Sequence, residues 1–245
     1  MFNESLGWGI AGNALYRTRD GGATWQEQVT PRPVGSLCFA DPRRGWVASS
    51  SATPTAIFTT STGGQTWAPV QSPPSTTAPR GIPGGGWPQE LRCASPNVLW
   101  DVVTFGGDAG GEGYVVARSP DGGRHWAEIA SNQVNPKVPQ GPGHVAGDLT
   151  VVDASTAYLI GWCGSCGGYG ATEVGRTLDA GKTWQNFPVF GHPIDAEANA
   201  VSFPTVRAGW LVASWHVAPN QTRSALLRTT NDGETWQHDD PTVLP

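Results

Sequence analysis

The chain has 245 residues, with 33 Gly, 21 Pro and 12 Trp, and a formal net charge of −5. That length can bury a sizeable core without disulfide or metal staples, and the Gly and Pro density implies many turns. The acidic balance, with no run of Lys or Arg, gives no electrostatic case for nucleic acid or an anionic membrane. No apolar run approaches the ~20 residues that a spanning helix needs.

Taken in order, the chain shows one unit written five times. The start, Met1-Phe2-Asn3-Glu4-Ser5, has no basic segment followed by an apolar stretch. The chain is therefore either cytoplasmic or without its leader, and an extracellular or periplasmic location in a bacterium is the expectation. Gly7-Trp8 then opens one strand, Leu15-Tyr16 marks a second, and Thr18 to Trp25 forms a turn ending in Trp. The second unit runs through Leu37-x-Phe39, Asp41, Gly45-Trp46 and Ile57-Phe58 to a turn from Thr60 to Trp67. The third has Leu91-x-Cys93, Ser95, Leu99-Trp100, Val115-Val116 and a turn from Ser119 to Trp126. The fourth has Leu149-x-Val151, Asp153, Ala157-Tyr158, Val174 and a turn from Thr177 to Trp184. The fifth has Val201-x-Phe203, Thr205, Gly209-Trp210, Leu226-Leu227 and a turn from Thr229 to Trp236.

The shared turn reads S/T-x-D-x-G-x-T-W and recurs at intervals of about 40 to 60 residues, a spacing that signals a repeat architecture. Its third position is Asp20, Thr62, Asp121, Asp179 or Asn231, and its last is Trp25, Trp67, Trp126, Trp184 or Trp236. A short carboxylate or amide accepts bonds from backbone N–H groups just ahead of it, and Gly supplies positive φ. The turn residues are thus expected to close hairpins and not to catalyse. The repeated Arg17, Arg118, Arg176 and Arg228 precede four of the turns and are expected to be structural or surface residues.

Each unit reads as four strands: an inner strand with period-two alternation, a strand opened by the anchor aromatic, a strand entering the turn, and a strand at the turn Trp. Four antiparallel strands repeated radially make a propeller blade. The expectation is an all-β, single-domain β-propeller over 1-245, with five blades near 1-30, 31-72, 85-130, 145-188 and 197-240. The first blade starts mid-strand, because Met1 already holds the inner strand's last core position. The chain is then a five-bladed ring with one thin blade, or part of a six- or seven-bladed one.

The spelling GW…RT-x-DGG-x-TW resembles the Asp-box (BNR) repeat of the sialidase-like superfamily. It is most similar to the photosystem II assembly factor group and to BNR-repeat bacterial proteins. The resemblance covers nearly the whole chain. It implies a propeller that presents one face to a protein or a glycan, and it extends to neuraminidases and xyloglucan-degrading enzymes. A neuraminidase would need three Arg, a Tyr nucleophile with a Glu partner, and an acid Asp. Here Arg80-Gly81-Ile82-Pro83 is only a broken echo of the expected signature, and Tyr169 alone of the four Tyr is loop-placed. A two-carboxylate glycosidase would pair Asp148 with Asp195, Glu197, Asp108 or Glu112.

Length variation falls on the loops opposite the turns, where binding residues usually sit. The candidate ligand-binding residues there are Trp87, Trp215, Arg80, Tyr169, His144, Asp148, His192, Asp195 and Glu197. Trp162 lies in a similar place, Glu90 and Arg92 occupy the matching point of the third unit, and His216 follows Trp215. No close HxH or HxxxH spacing supports a metal site, and no cofactor is expected. Cys163-Gly-Ser-Cys166 reads as a loop disulfide or two free thiols, and Cys38 and Cys93 as small buried hydrophobes. The function expected is a non-catalytic binding or assembly propeller, monomeric, recognising a protein or carbohydrate; the alternative is a glycoside hydrolase.

Overall fold

The computed structural model describes residues 2–49, 56–73, 87–105, 113–132, 137–162, 172–189, 196–218 and 221–239. Every named element is a β-strand, and the strands form five antiparallel sheets, the five blades of a β-propeller. The first sheet has three strands, β1 (Gly7–Ala11), β2 (Ala14–Thr18) and β3 (Gln26–Gln28). Among the described residues it has no counterpart of the inner strand of the other sheets. The second has β4 (Val34–Phe39), β5 (Gly45–Ser49), β6 (Ile57–Thr60) and β7 (Ala68–Val70). The third has β8 (Trp87–Cys93), β9 (Leu99–Phe105), β10 (Gly113–Ser119) and β11 (Ala127–Ser131). The fourth has β12 (Val145–Val151), β13 (Ala157–Trp162), β14 (Glu173–Thr177) and β15 (Gln185–Pro188). The fifth has β16 (Ala196–Ser202), β17 (Gly209–Ala218), β18 (Gln221–Thr229) and β19 (Gln237–His238). The last strand of each sheet begins one residue after the turn Trp, not on it.

The chain divides into two compact units, Met1–Phe105 with Val116–Glu128, and Gly106–Val115 with Ile129–Pro245. In the first unit, two apolar layers hold the sheets together. Trp8, Leu15, Val34 and Val47 fill one, with Phe39 and Trp67 packed against it. Cys38, Trp46, Ala48, Ile57, Leu91 and Leu99 fill the other. Phe39 stacks on Trp8 at 3.8 Å between ring centroids, nearly parallel. This stack is why position 45 is Gly: a Cβ there would lie 2.5 Å from the Phe39 ring. The third sheet solves the same volume problem in reverse, with the small Cys93 in place of Phe39 and Leu99 in place of Gly45.

In the second unit, Tyr158, Ile160, Val174, Val201, Phe203, Leu211, Ala213 and Leu227 form one buried layer. Phe203 stacks on Tyr158 at 3.5 Å and 3°. The Tyr158 hydroxyl donates to the Val206 carbonyl at 2.6 Å, so the anchor ring ties the fourth sheet to the turn that opens the fifth.

Candidate functional site

The repeated turns come first, because their polar groups must be assigned before any can be offered to a ligand. In the first turn Asp20 Oδ1 accepts from the Thr24 amide (2.9 Å) and the Thr18 hydroxyl (2.8 Å), and Oδ2 accepts from the Thr24 hydroxyl (2.6 Å). The fourth turn repeats this at Asp179 with Thr183 and Thr177. In the third turn Asp121 takes the amides of Arg124 and His125, and the His125 ring meets its second oxygen. At the two departures from Asp the same geometry survives. Asn231 Oδ1 accepts from the Thr235 amide at 3.1 Å, and Thr62 Oγ1 accepts from the Thr66 amide at 2.9 Å. The hydrogen bonds of Thr24 and Thr18 hold the Asp20 carboxyl down at about 2, and the His125 ring and amide do the same for Asp121. The Thr183 hydroxyl leads the same lowering at Asp179.

Each turn is also tied to its own sheet's opening turn, through the Gly21 amide to Ser5, Gly63 to Arg43, Gly122 to Asn97, Ala180 to Ser155 and Asp232 to Arg207. The two kinds of turn therefore share one end of each sheet, as the strand order required.

Two anchor aromatics, Trp8 and Trp46, and two of the repeated Arg residues, Arg17 and Arg176, grip the turn of the following sheet. Trp8 Nε1 and Arg17 Nη1 both donate to the Gly63 carbonyl (3.3 and 3.2 Å), and Trp46 Nε1 donates to the Gly122 carbonyl (3.1 Å). Arg176 Nη1 donates to the Asp232 carbonyl at 3.2 Å, with Glu234 and Gln185 on its other nitrogen. Arg17, Arg118 and Arg228 lie over the rings of Trp8, Trp100 and Trp210, and Arg176 over Phe187. The turn Trp residues do more than cover their hairpins. Trp67 Nε1 donates to its own Gly64, whereas Trp126 and Trp184 reach the carbonyls of Gln71 and Ile129 in or beside the preceding sheet's last strand.

Most polar groups of the first four turns are engaged, while Arg228, Thr230, Thr235, Gln237, His238 and Asp239 line a small recess beside the fifth. The ligand groups expected from sequence lie toward the other end of the strands. His144 is exposed on a clamped segment in the second unit. Its amide donates to the Trp162 carbonyl (2.9 Å) and its carbonyl accepts from Asn132 (2.7 Å). Just before it, the Pro142 carbonyl takes the Tyr114 hydroxyl (2.6 Å) and the Gly143 amide donates to Glu173 (3.1 Å). Burial, and then Glu173, keep the Tyr114 hydroxyl protonated by raising it above the usual phenol range. Gly143 has φ +59, and a Cβ there would meet the Trp162 amide at 2.4 Å, so only Gly fits. A rigid base under an exposed imidazole is what a recognition residue needs.

Asp148 has a different job. Its Oδ2 accepts the Val201 amide (2.9 Å), and Thr150 donates to the Val201 carbonyl (2.8 Å), bracketing the inner strands β12 and β16. Glu90 and Arg92 face each other at 2.9 Å in a partly exposed ion pair.

The fifth sheet carries the second cluster. Strands β17 and β18 are the longest pair among the described elements, 10 and 9 residues, and they pair from Gly209↔Thr229 out to Ala218↔Gln221. On the outer half of this hairpin Trp215 lies directly opposite Arg223 on one side and Ala196 on the other. Trp215 is half-buried with its ring against the sheet's apolar layer, and Arg223 is exposed. Glu197 pairs with Ser214, one step along, and Asn199 donates to the Ser214 hydroxyl at 2.9 Å. Trp215 and Glu197 thus stand at successive register positions of neighbouring strands in the fifth sheet and do not oppose each other, while His144 and Asp148 belong to the fourth. Trp87 stands in β8 opposite Thr104. Arg80, Tyr169, His192, Asp195, Asp108, Glu112, Cys163 and Cys166 lie outside the described residues. Arg223 was missed from sequence. Its signal was present, since Leu211, Ala213 and Trp215 carry one apolar alternation along the strand and so extend the hairpin opposite.

The architecture defines the chain as a member of the β-propeller fold class. It is similar to YCF48 bound to D1 peptide, with TM-score 0.56 and 18% identity, over 98% of this chain and 78% of that one. It is also similar to YCF48 from Cyanidioschyzon merolae, with TM-score 0.56 and 14% identity, over 96% of this chain and 80% of that one. A GH74 enzyme from Niastella koreensis matches with TM-score 0.60 and 18% identity, over 92% of this chain but only 34% of the enzyme. At these identities the likeness is one of fold. No protein-family model and no curated protein matches the sequence.

Proposed function

We propose that the chain is a non-catalytic binding propeller of the Asp-box type, which recognises a segment of a partner protein with the strand ends opposite its repeated turns. The observation that carries this is the division of labour between the two ends. At one end Asp20, Asn231, Arg17, Arg176 and Trp46 of the repeat are bonded within and between sheets. At the other, the Trp215/Arg223 pair and His144 stand on rigid supports. A half-buried Trp beside an exposed Arg is the composition of a binding hot spot.

The fold likeness to YCF48 bound to D1 peptide supports a peptide as the partner. The likeness to GH74 enzymes and to an arabinanase complexed with arabinobiose supports a glycan as the second reading. On that reading the Trp215 ring stacks on a sugar. An extracellular or periplasmic location and a monomeric state go with the proposal. A peptide array and a glycan array probed with the full chain and with Trp215→Ala and Arg223→Ala test it. Binding that both substitutions weaken tenfold or more, with unchanged melting, supports the hairpin site. Turnover of glycoside substrates by the intact chain would overturn the non-catalytic reading.

A further inference from the structure

We propose that Cys38 and Cys93 form a redox modification site: an inter-sheet dithiol that a low-molecular-weight disulfide oxidises to a Cys38–Cys93 disulfide. Cys38 is in β4 and Cys93 in β8, the inner strands of the second and third sheets, both within the first unit. The Ser36 hydroxyl accepts the Leu91 amide at 2.9 Å, which fixes the register of these strands. Two residues further along each strand, Cys38 falls beside Cys93. The fourth and fifth sheets show the same register, where Asp148 holds Val201 and Thr150 reaches back to it. Both cysteines are free and pack in one apolar layer, Cys38 buried within it and Cys93 partly buried against it.

The surroundings set this pair apart from two small core hydrophobes. Phe39 and Phe203 occupy the position of Cys93 in the second and fifth sheets and stack on an anchor ring. A thiol there forgoes that stacking, and Leu99 fills the released volume. Asp101, fully buried in the adjoining β9, stands opposite Leu91 in the same interface. Neither of its carboxyl oxygens makes a hydrogen bond of ordinary geometry. Burial, and then the Cys93 thiol, push the Cys38 thiol up, while Arg92 acts in the opposite sense. Cys93 is the more exposed of the two and is the entry point.

The chemistry balances as follows. The Cys93 thiolate attacks one sulfur of the reagent disulfide, giving a mixed disulfide and one free thiol. The Cys38 sulfur then attacks the Cys93 sulfur, giving up its proton to the departing sulfur as it does so, and expels the second thiol. The two cysteines are oxidised, the reagent is reduced, and the two protons leave on the released thiols.

The test uses the full chain with Cys163→Ser and Cys166→Ser, so that the other pair cannot contribute. The folded protein is incubated with oxidised glutathione, trapped by alkylation and mapped by peptide mass. The expected product is a Cys38–Cys93 linked peptide. The link closes a loop of about 55 residues, so melting should rise by about 10 °C, and dithiothreitol should reverse the rise. With Cys38→Ser added, Cys93 should accumulate as a glutathione mixed disulfide. The proposal is overturned if both thiols remain alkylatable in the native state, if Cys93 stays glutathionylated with Cys38 present, or if the link forms only after unfolding.

Discussion

Substituting Asp179 separates a scaffold role for the turn carboxylates from a chemical one. Asp179→Ala removes three hydrogen bonds, from the Thr177 hydroxyl (3.0 Å), the Thr183 amide (2.9 Å) and the Thr183 hydroxyl (2.6 Å). A hydrogen bond contributes about 0.5–1.5 kcal/mol net, and the turn is largely exposed, so the sum is discounted to about 1–2 kcal/mol. For a chain of this size that is a fall in melting temperature of about 2–8 °C. Asp179→Asn should cost under about 0.5 kcal/mol, because Asn231 already makes the equivalent bonds in the fifth turn. Calorimetry or thermal circular dichroism on the three proteins decides it. The reasoning is refuted if Asn is as damaging as Ala, or if Ala costs nothing.

Three further outcomes follow from the same geometry. Ala180 has φ 65, in the left-handed region where the first three turns carry Gly. Ala180→Gly should therefore stabilise by about 0.5–1 kcal/mol, seen as a rise in denaturation midpoint. Gly45→Ala pushes a methyl into the Phe39 ring and should cost about 1–3 kcal/mol. Phe39→Cys combined with Gly45→Leu, the pairing found in the third sheet, should recover part of it in a double-mutant cycle. Acid should loosen the turns. The Asp20 and Asp121 carboxyls lie at about 2 in the folded chain, below their unfolded value, so their contribution is complete above pH 4 and is lost as pH falls through about 2. An acid titration of the melting temperature of Asp20→Asn should be flatter over that interval than that of the native chain.

The fold was largely legible because the repeat encodes it locally: a short acceptor, a Gly at positive φ and a Trp within eight residues specify each hairpin. The Arg and Trp brackets were only half legible. Arg17 and Trp8 recur at fixed places, but their acceptor, the Gly63 carbonyl, belongs to another sheet, and a backbone acceptor leaves no mark in the sequence. Asp148 read as a loop-side ligand group because a carboxylate near a strand's start is usually solvated; the Val201 amide it accepts comes from the neighbouring inner strand. Cys38 and Cys93 each read as a small hydrophobe, since their pairing depends on the register between β4 and β8. Arg223 escaped notice because its interest lies in the cross-strand partner, Trp215, and that pairing appears only once the hairpin length is known.

The central claim is that the hairpin end of the fifth sheet binds a partner while the repeated turns hold the scaffold. Titrating the peptide or glycan recovered from the arrays against the native chain, Trp215→Ala and Asp179→Asn tests both halves at once. The account predicts a dissociation constant raised at least tenfold by Trp215→Ala and left within twofold by Asp179→Asn. Unchanged affinity in Trp215→Ala, or binding lost in Asp179→Asn with the fold intact, would contradict it.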